Sequence, residues 1–268
     1  METDFEQAAK LALVRVAERR PLVHHVTNWV TANDVANLTL AYGALPVMAT
    51  GPEEAAEMAA SSQVLVLNLG TPSGSTLEVM LAAGRAAAER DVPIVLDPVG
   101  AGATTFRTEA ARRLLAELPI AVLRGNRGEV GALIGEGAVR GVEAVGNEDV
   151  RRVAQEAGRR LGVVVAVTGP VDVVAGGGTV REVRNGDPLL TTITGSGCMA
   201  TAAVAVMLAA GGEPSLQAAL ALATFGLAAE RAAGGSRGPG TFRARLLDAV
   251  AALRTQGVGG LRITEAAG

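Results

Sequence analysis

One cysteine, one lysine, one tryptophan and one tyrosine stand among 268 residues. A lone Cys198 cannot form an internal disulfide, which fits a reducing compartment. With Lys10 the only lysine, no Gly-Lys-Ser/Thr phosphate loop can be written anywhere in the chain. The remaining basic residues are scattered arginines against a net charge of -3, so no basic stripe invites nucleic acid. The two histidines, His24 and His25, are adjacent and point to opposite faces of any strand, which argues against a two-histidine metal site. They also leave a cysteine hydrolase without a well-placed base. The most membrane-like run, Cys198 to Ala210, falls short of the roughly 20 apolar residues of a spanning helix, so no membrane partner is expected. The opening METDFEQAAK lacks the basic and apolar regions of a signal peptide, and a cytoplasmic protein is the expectation.

What the chain has is apolar residues, 49% of the total, enough for a sizeable core. Short runs rich in Val, Ile and Leu recur between alanine-rich stretches of helical length: PLVHHV from Pro21, LPVMAT from Leu45, VLVLNLG from Val64, PIVLDPVG from Pro93, IAVLRGN from Ile120 and VVVAVTG from Val163. Near-continuous apolar runs of this kind predict parallel strands covered on both faces by helices, an α/β layer fold. From Val171 the glycine turns of VDVVAGGGTVREVRNGDPLLTTIT predict a meander of short strands at one edge. Three helices follow, over Cys198 to Ala210, Ser215 to Ala233 and Phe242 to Arg254. No linker or repeat divides the chain, and residues 1–268 read as one domain.

Several predicted strands end in polar or glycine residues: Asn28, Asn68 with Gly70, Asp97, Asn126, and Thr168 with Gly169. In open α/β sheets ligands sit beyond the carboxyl ends of the strands, so that edge is the expected site. The turn Gly195-Ser196-Gly197-Cys198 opens a helix, where free backbone N–H groups favour an anion; the plain alternative is a strand-to-helix turn. Cys198 at a helix start is expected to have a lowered thiol pKa and to act as a base or orienting group, rather than as a small buried hydrophobe. Asp97 is a candidate for hydrated magnesium, or an Asp-Pro turn. Asn126 and Glu129 read as a capping box or, with Arg124, as contacts to phosphate and metal-bound water. Met48 reads as core filler on residue type alone.

Taken in order, HHVTN, ANLTLAYGALPVMA, LVLNLGTPS, LDPVGAGATTFRTE, RGNRGEV, AVTGPVDVV, ITGSGCMAT and GPGTF resemble the hydroxyethylthiazole kinases, over about Pro21 to Leu247. The resemblance implies a ribokinase-like three-layer sandwich with a mainly parallel central sheet, Mg2+ and ATP, and the primary alcohol of a methyl-hydroxyethyl-thiazole as acceptor. It implies an acceptor pocket at Asn28, Val30, Met48, Gly70 and Gly195, and ATP contacts at Arg124, Asn126 and Thr168. It places Asp97 and Glu129 near magnesium, and Cys198 with Gly195, Ser196 and Gly197 at the transfer point. It further implies a homotrimer with sites between subunits. Kinases of hydroxymethyl-pyrimidine or pyridoxal, an ATP-consuming dehydratase of hydrated nicotinamide cofactors and a silent nucleotide-binding protein are the rival readings.

Overall fold

The computed structural model describes residues 3–136 and 147–268. Its chain order is α1 (Phe5–Arg19), β1 (Leu22–Val26), α2 (Ala32–Tyr42), β2 (Leu45–Val47), α3 (Ala55–Ser61), β3 (Val64–Asn68), α4 (Gly74–Ala88), β4 (Ile94–Asp97), α5 (Thr105–Glu117), β5 (Ile120–Asn126) and α6 (Arg127–Leu133). There follow α7 (Asn147–Leu161), β6 (Val164–Thr168), β7 (Asp172–Gly176), β8 (Thr179–Val183), α8 (Ser196–Ala209), α9 (Pro214–Ala233), α10 (Pro239–Gln256) and β9 (Ile263–Ala267).

The nine strands among the described residues join one sheet in the order β2-β1-β3-β4-β5-β6-β7-β8-β9. The first six in sequence pair in parallel and the last three in antiparallel. Each apolar run of the sequence is a strand, and the meander is β7 and β8. Beyond it the structure differs from the expectation in two places. Pro188–Thr192 form a turn of 3-10 helix in place of a further strand, Asp187 capping it by accepting from Leu189 N–H at 2.9 Å. The chain end, which carries no strong apolar run, forms β9 against β8. Buried Arg181 on β8 holds it there, donating to Glu265 at 2.6 Å.

The alternation of strand side chains divides the core into two layers. Val64, Val66, Val95 and Val122 face α1, α2, α8, α9 and α10, while Leu65, Leu67, Ile94, Leu96 and Leu123 face α3 to α7. Short strand residues meet alanine-rich helices on the first face, which lets α8 and α9 lie close to the sheet. Helix α8 is buried on every side from Met199 to Leu208, as an apolar helix without a polar stripe must be. Its N-terminal turns are fixed against the carboxyl ends of β3 and β4, where Cys198 accepts from Asn68 and Thr201 donates to Asp97.

Candidate active site

The carboxyl ends of β1, β3, β4, β5 and β6 deliver Asn28, Asn68, Asp97, Arg124 and Thr168 to one edge, and α8 begins above them. Asn68 and Asp97 are register partners on adjacent parallel strands, so their side chains leave the sheet on the same face. Asn68 Nδ2 donates to Asp97 Oδ2 at 2.8 Å and to Cys198 Sγ at 3.3 Å. Its Oδ1 accepts from Asn28 Nδ2 at 2.8 Å and from the Gly70 N–H at 2.9 Å. Asn28 also reaches Cys198 Sγ at 3.7 Å and, through Oδ1, accepts the Thr31 N–H at 3.0 Å.

Asp97 is fully buried. Its Oδ2 accepts from Asn68 and, at 2.8 Å, from the Thr201 hydroxyl of α8. Its Oδ1 has no partner among the described residues. Burial pushes this carboxyl up to about 6; the Arg124 guanidinium, 3.9 Å away, opposes that push and the Glu129 charge adds to it. Arg124 itself is buried, donates to the Thr168 hydroxyl and keeps Nε unpartnered among the described residues.

The turn before α8 is built from glycine for two steric reasons. Gly195 caps the helix with φ +85°, a backbone region that strains other residues, and a Cβ there would lie 2.7 Å from Thr31 Cγ2. A Cβ on Gly197 would lie 2.8 Å from Arg124 Nη1. The backbone therefore approaches Arg124 as closely as it can. A cleft of about 510 Å³ opens beside this turn, walled by Arg124, Thr168, Ser196 and Gly197 on one side and by Pro188 and Phe225 among others on the other. Its positive pole combines a guanidinium with the free N–H groups of a helix start, the pairing that holds phosphate. Asp172, also on its wall, accepts the Gly169 N–H at 2.9 Å, and burial pushes its carboxyl up to about 6.

Cys198 departs from expectation. Burial and the neighbouring Asp97 charge push its thiol up, where a helix start alone would lower it. The helix-terminus effect is a fraction of a charge, and here it loses to desolvation and a nearby carboxylate. Glu129 and Asn126 form the capping box of α6: Asn126 accepts from Glu129 N–H at 2.9 Å and Glu129 Oε2 from Asn126 N–H at 2.8 Å. Glu129 Oε1 accepts the Gly100 N–H at 2.9 Å, which ties the loop after Asp97 to α6.

The structure thus unites Asn28, Gly70, Asp97 and Cys198 around Asn68, and Arg124, Thr168, Ser196 and Gly197 around the cleft. Gly70 lies so near Asn28 that a Cβ would come within 2.5 Å of it. Met48 is half-buried against the α8 side of the core, and His24 anchors the backbone beside it by donating Nε2–H to Ala49 O at 2.8 Å. Val30 is half-exposed rather than enclosed, and Trp29 beside it is 80% exposed. Sequence reasoning passes over two residues here. Asn68 reads as one strand-ending polar residue among several. Arg107 sits in a quoted motif, and its guanidinium donates to Leu69 O, Val99 O and Gly70 O at 2.7, 2.8 and 3.0 Å, clamping the β3 and β4 loops together.

A mainly parallel sheet flanked by helices, with a buried helix opening above its carboxyl edge, is the ribokinase-like α/β architecture. The fold is shared, at 13% identity and a TM-score of 0.64, with a ribokinase-like superfamily protein from Enterococcus faecalis over 88% of this chain and 85% of that one. A hydroxyethylthiazole kinase structure from Pyrococcus horikoshii is similar with a TM-score of 0.89 and 40% identity, covering 97% of this chain and 99% of that one. Hydroxyethylthiazole kinase of Rubrobacter xylanophilus is 56% identical over 244 residues, 90% of this chain and 91% of the relative. The model of the hydroxyethylthiazole kinase family matches residues 13–256, and this chain belongs to that family.

Proposed function

We propose that the chain transfers the γ-phosphoryl group of Mg-ATP to the primary alcohol of 5-(2-hydroxyethyl)-4-methylthiazole. Membership of the family and relatives bearing this name support the substrate. The observation that carries the chemistry is the single glycine turn at which the two halves of the site meet: Gly197 walls the anion cleft, and the next residue, Cys198, touches Asn28 and Asn68 of the acceptor side.

In the proposed reaction the alcohol oxygen forms the new bond to the γ-phosphorus while the bond to the β–γ bridging oxygen breaks, leaving ADP, and the alcohol proton departs late, to the transferred phosphoryl oxygens or to solvent. Such a loose transition state demands alignment and charge neutralisation rather than a strong base. The guanidinium of Arg124 and the N–H groups opening α8 supply donors where charge gathers on the phosphoryl oxygens. Magnesium fits the donor set: the free Oδ1 of Asp97 is a buried oxygen lacking a partner among the described residues, and a cation that keeps several waters and phosphate oxygens needs only one or two protein carboxylates. Bound there, it would neutralise the phosphates. Glu129, both of whose oxygens already accept backbone N–H groups, would act chiefly by holding the loop after Asp97 and orienting metal-bound water. The Cys198 thiol keeps its proton at neutral pH and accepts from two amides, so it orients the acceptor rather than deprotonating it.

A homotrimer with acceptor sites between subunits belongs to the same proposal. It is supported by the exposure of Trp29 and Val30 beside Asn28, apolar surface that a neighbouring copy would cover.

The test is direct. Purified protein incubated with Mg-ATP and hydroxyethylthiazole should yield the phosphate ester by mass spectrometry, with at most traces from hydroxymethyl-pyrimidine or pyridoxal. No ester from the thiazole, or a better yield from either rival alcohol, overturns the assignment.

A further inference from the structure

Asn68 is 3% exposed and uses every hydrogen-bonding position it has. Its two N–H bonds go to Asp97 Oδ2 and Cys198 Sγ, and its two oxygen lone pairs take the Asn28 amide and the Gly70 N–H. The orientation of the amide is not free. The Gly70 N–H can only donate, and the Asp97 carboxylate can only accept, so the oxygen must face one and the nitrogen the other. Aspartate in its place would lose both amide N–H donors and set a second carboxyl against Asp97, serine would retain one donor, and glutamine would overshoot by a methylene.

Two consequences follow for the site. With Asn68 and Thr201 both donating to Oδ2, the carboxylate of Asp97 is turned so that Oδ1 alone remains free. The same amide holds Asn28 and the Gly70 backbone, members of the acceptor side, so both halves of the reaction are referenced to one planar group. Resting on the thiazole-kinase reading above, we propose that Asn68 is the positioning residue of this site, fixing which oxygen of Asp97 is presented and setting the acceptor pocket in register with it.

Asn68→Asp separates this role from packing, because it keeps the outline and both acceptor contacts, removes the amide donation to Cys198, and replaces the fixed amide donor to Asp97 by at most one proton shared between two carboxyl groups. In the full-length chain, kcat should fall by about tenfold or more. Thiazole affinity, measured by calorimetry without nucleotide or metal, should change by less than about threefold, since the contacts to Asn28 and Gly70 persist. Thr201→Val, which removes the other donation to Oδ2 at nearly constant volume, should show the same split with a smaller loss, and it carries the test should Asn68→Asp fold poorly by thermal denaturation. A folded Asn68→Asp enzyme retaining more than half the wild-type kcat overturns the assignment, as does a loss of kcat matched by an equal loss of thiazole affinity. In either case the thiazole reading stands if the wild-type chain makes the ester; a wild-type chain that makes none overturns both.

Discussion

Cys198 and Asp97 show how burial sets the chemistry of a single side chain. The thiol is pushed up by its surroundings, so removing it takes away an orienting contact and no essential base. Cys198→Ala removes contacts to two amides rather than a base, and is expected to slow turnover without abolishing it. Cys198→Asp should retain or raise turnover, because the same burial that lifts the thiol would lift a carboxyl toward neutral pH, where a base is most effective. Steady-state kinetics on both variants decides, and complete inactivity of a folded Cys198→Asp protein would count against this account. Asp97 illustrates the cost of such a site. Its folded pKa of about 6 lies above the unfolded value, so the stability it contributes is fully present below about pH 4 and is lost as pH rises through 6. At pH 8 the metal-free protein therefore carries an ionised carboxylate worth roughly 3 kcal/mol of destabilisation. The Asp97→Asn substitution should raise the thermal midpoint at pH 8, much less so at pH 5, while turnover collapses.

The elements that carry these residues are fixed by contacts remote from the chemistry. Helix α2, which follows Asn28 and Thr31, is joined to α9 by a buried pair in which the Tyr42 hydroxyl, 3.2 Å from Thr224 Oγ1, donates to it while Thr224 donates to Ala221 O. The two truncations are therefore unequal. Tyr42→Phe leaves Thr224 with its carbonyl partner and should cost about 1 kcal/mol, whereas Thr224→Val strands the tyrosine hydroxyl and should cost about 1–3 kcal/mol in urea denaturation. An equal cost for both would refute the donor assignment. At the start of α8, Gly195→Ala meets a positive φ and the Thr31 methyl together, and is expected to lower kcat by about tenfold or more at a cost of about 1–3 kcal/mol in stability. Element identity was largely legible beforehand: the apolar runs are strands, the alanine-rich stretches are helices, and Asn126 with Glu129 is a capping box, because periodicity and capping are local. Strand β9 was not legible. ITEAA has little apolar character, and it pairs with β8 by backbone hydrogen bonds and the Arg181–Glu265 contact, neither of which a local pattern encodes.

Across the whole molecule, two sets of buried groups oppose one another as the pH falls. His25 is held neutral with a folded value of about 3 and His24 is lowered as well, both mainly by desolvation, so their contribution is present above about pH 6.5 and is lost on acidification. Asp97 and Asp172, raised to about 6, work in the other direction over the same range. Urea titrations between pH 6.5 and 4 should accordingly show a steeper loss of stability in Asp97→Asn than in the wild type, since one counterweight to the histidines is gone; parallel profiles would mean that Asp97 does not titrate in this window. By itself the sequence determined the α/β layering, the glycine turn ahead of Cys198 and the motifs of the kinase family, because strand burial, turn sterics and motif order are written in neighbouring residues. Tertiary structure alone decided that Asn68 would be the junction of the site, that the thiol would keep its proton and that Arg107 would clamp two loops. Each of those depends on which strand ends lie side by side and how little water reaches them, quantities that arise only when residues distant in the chain are packed together.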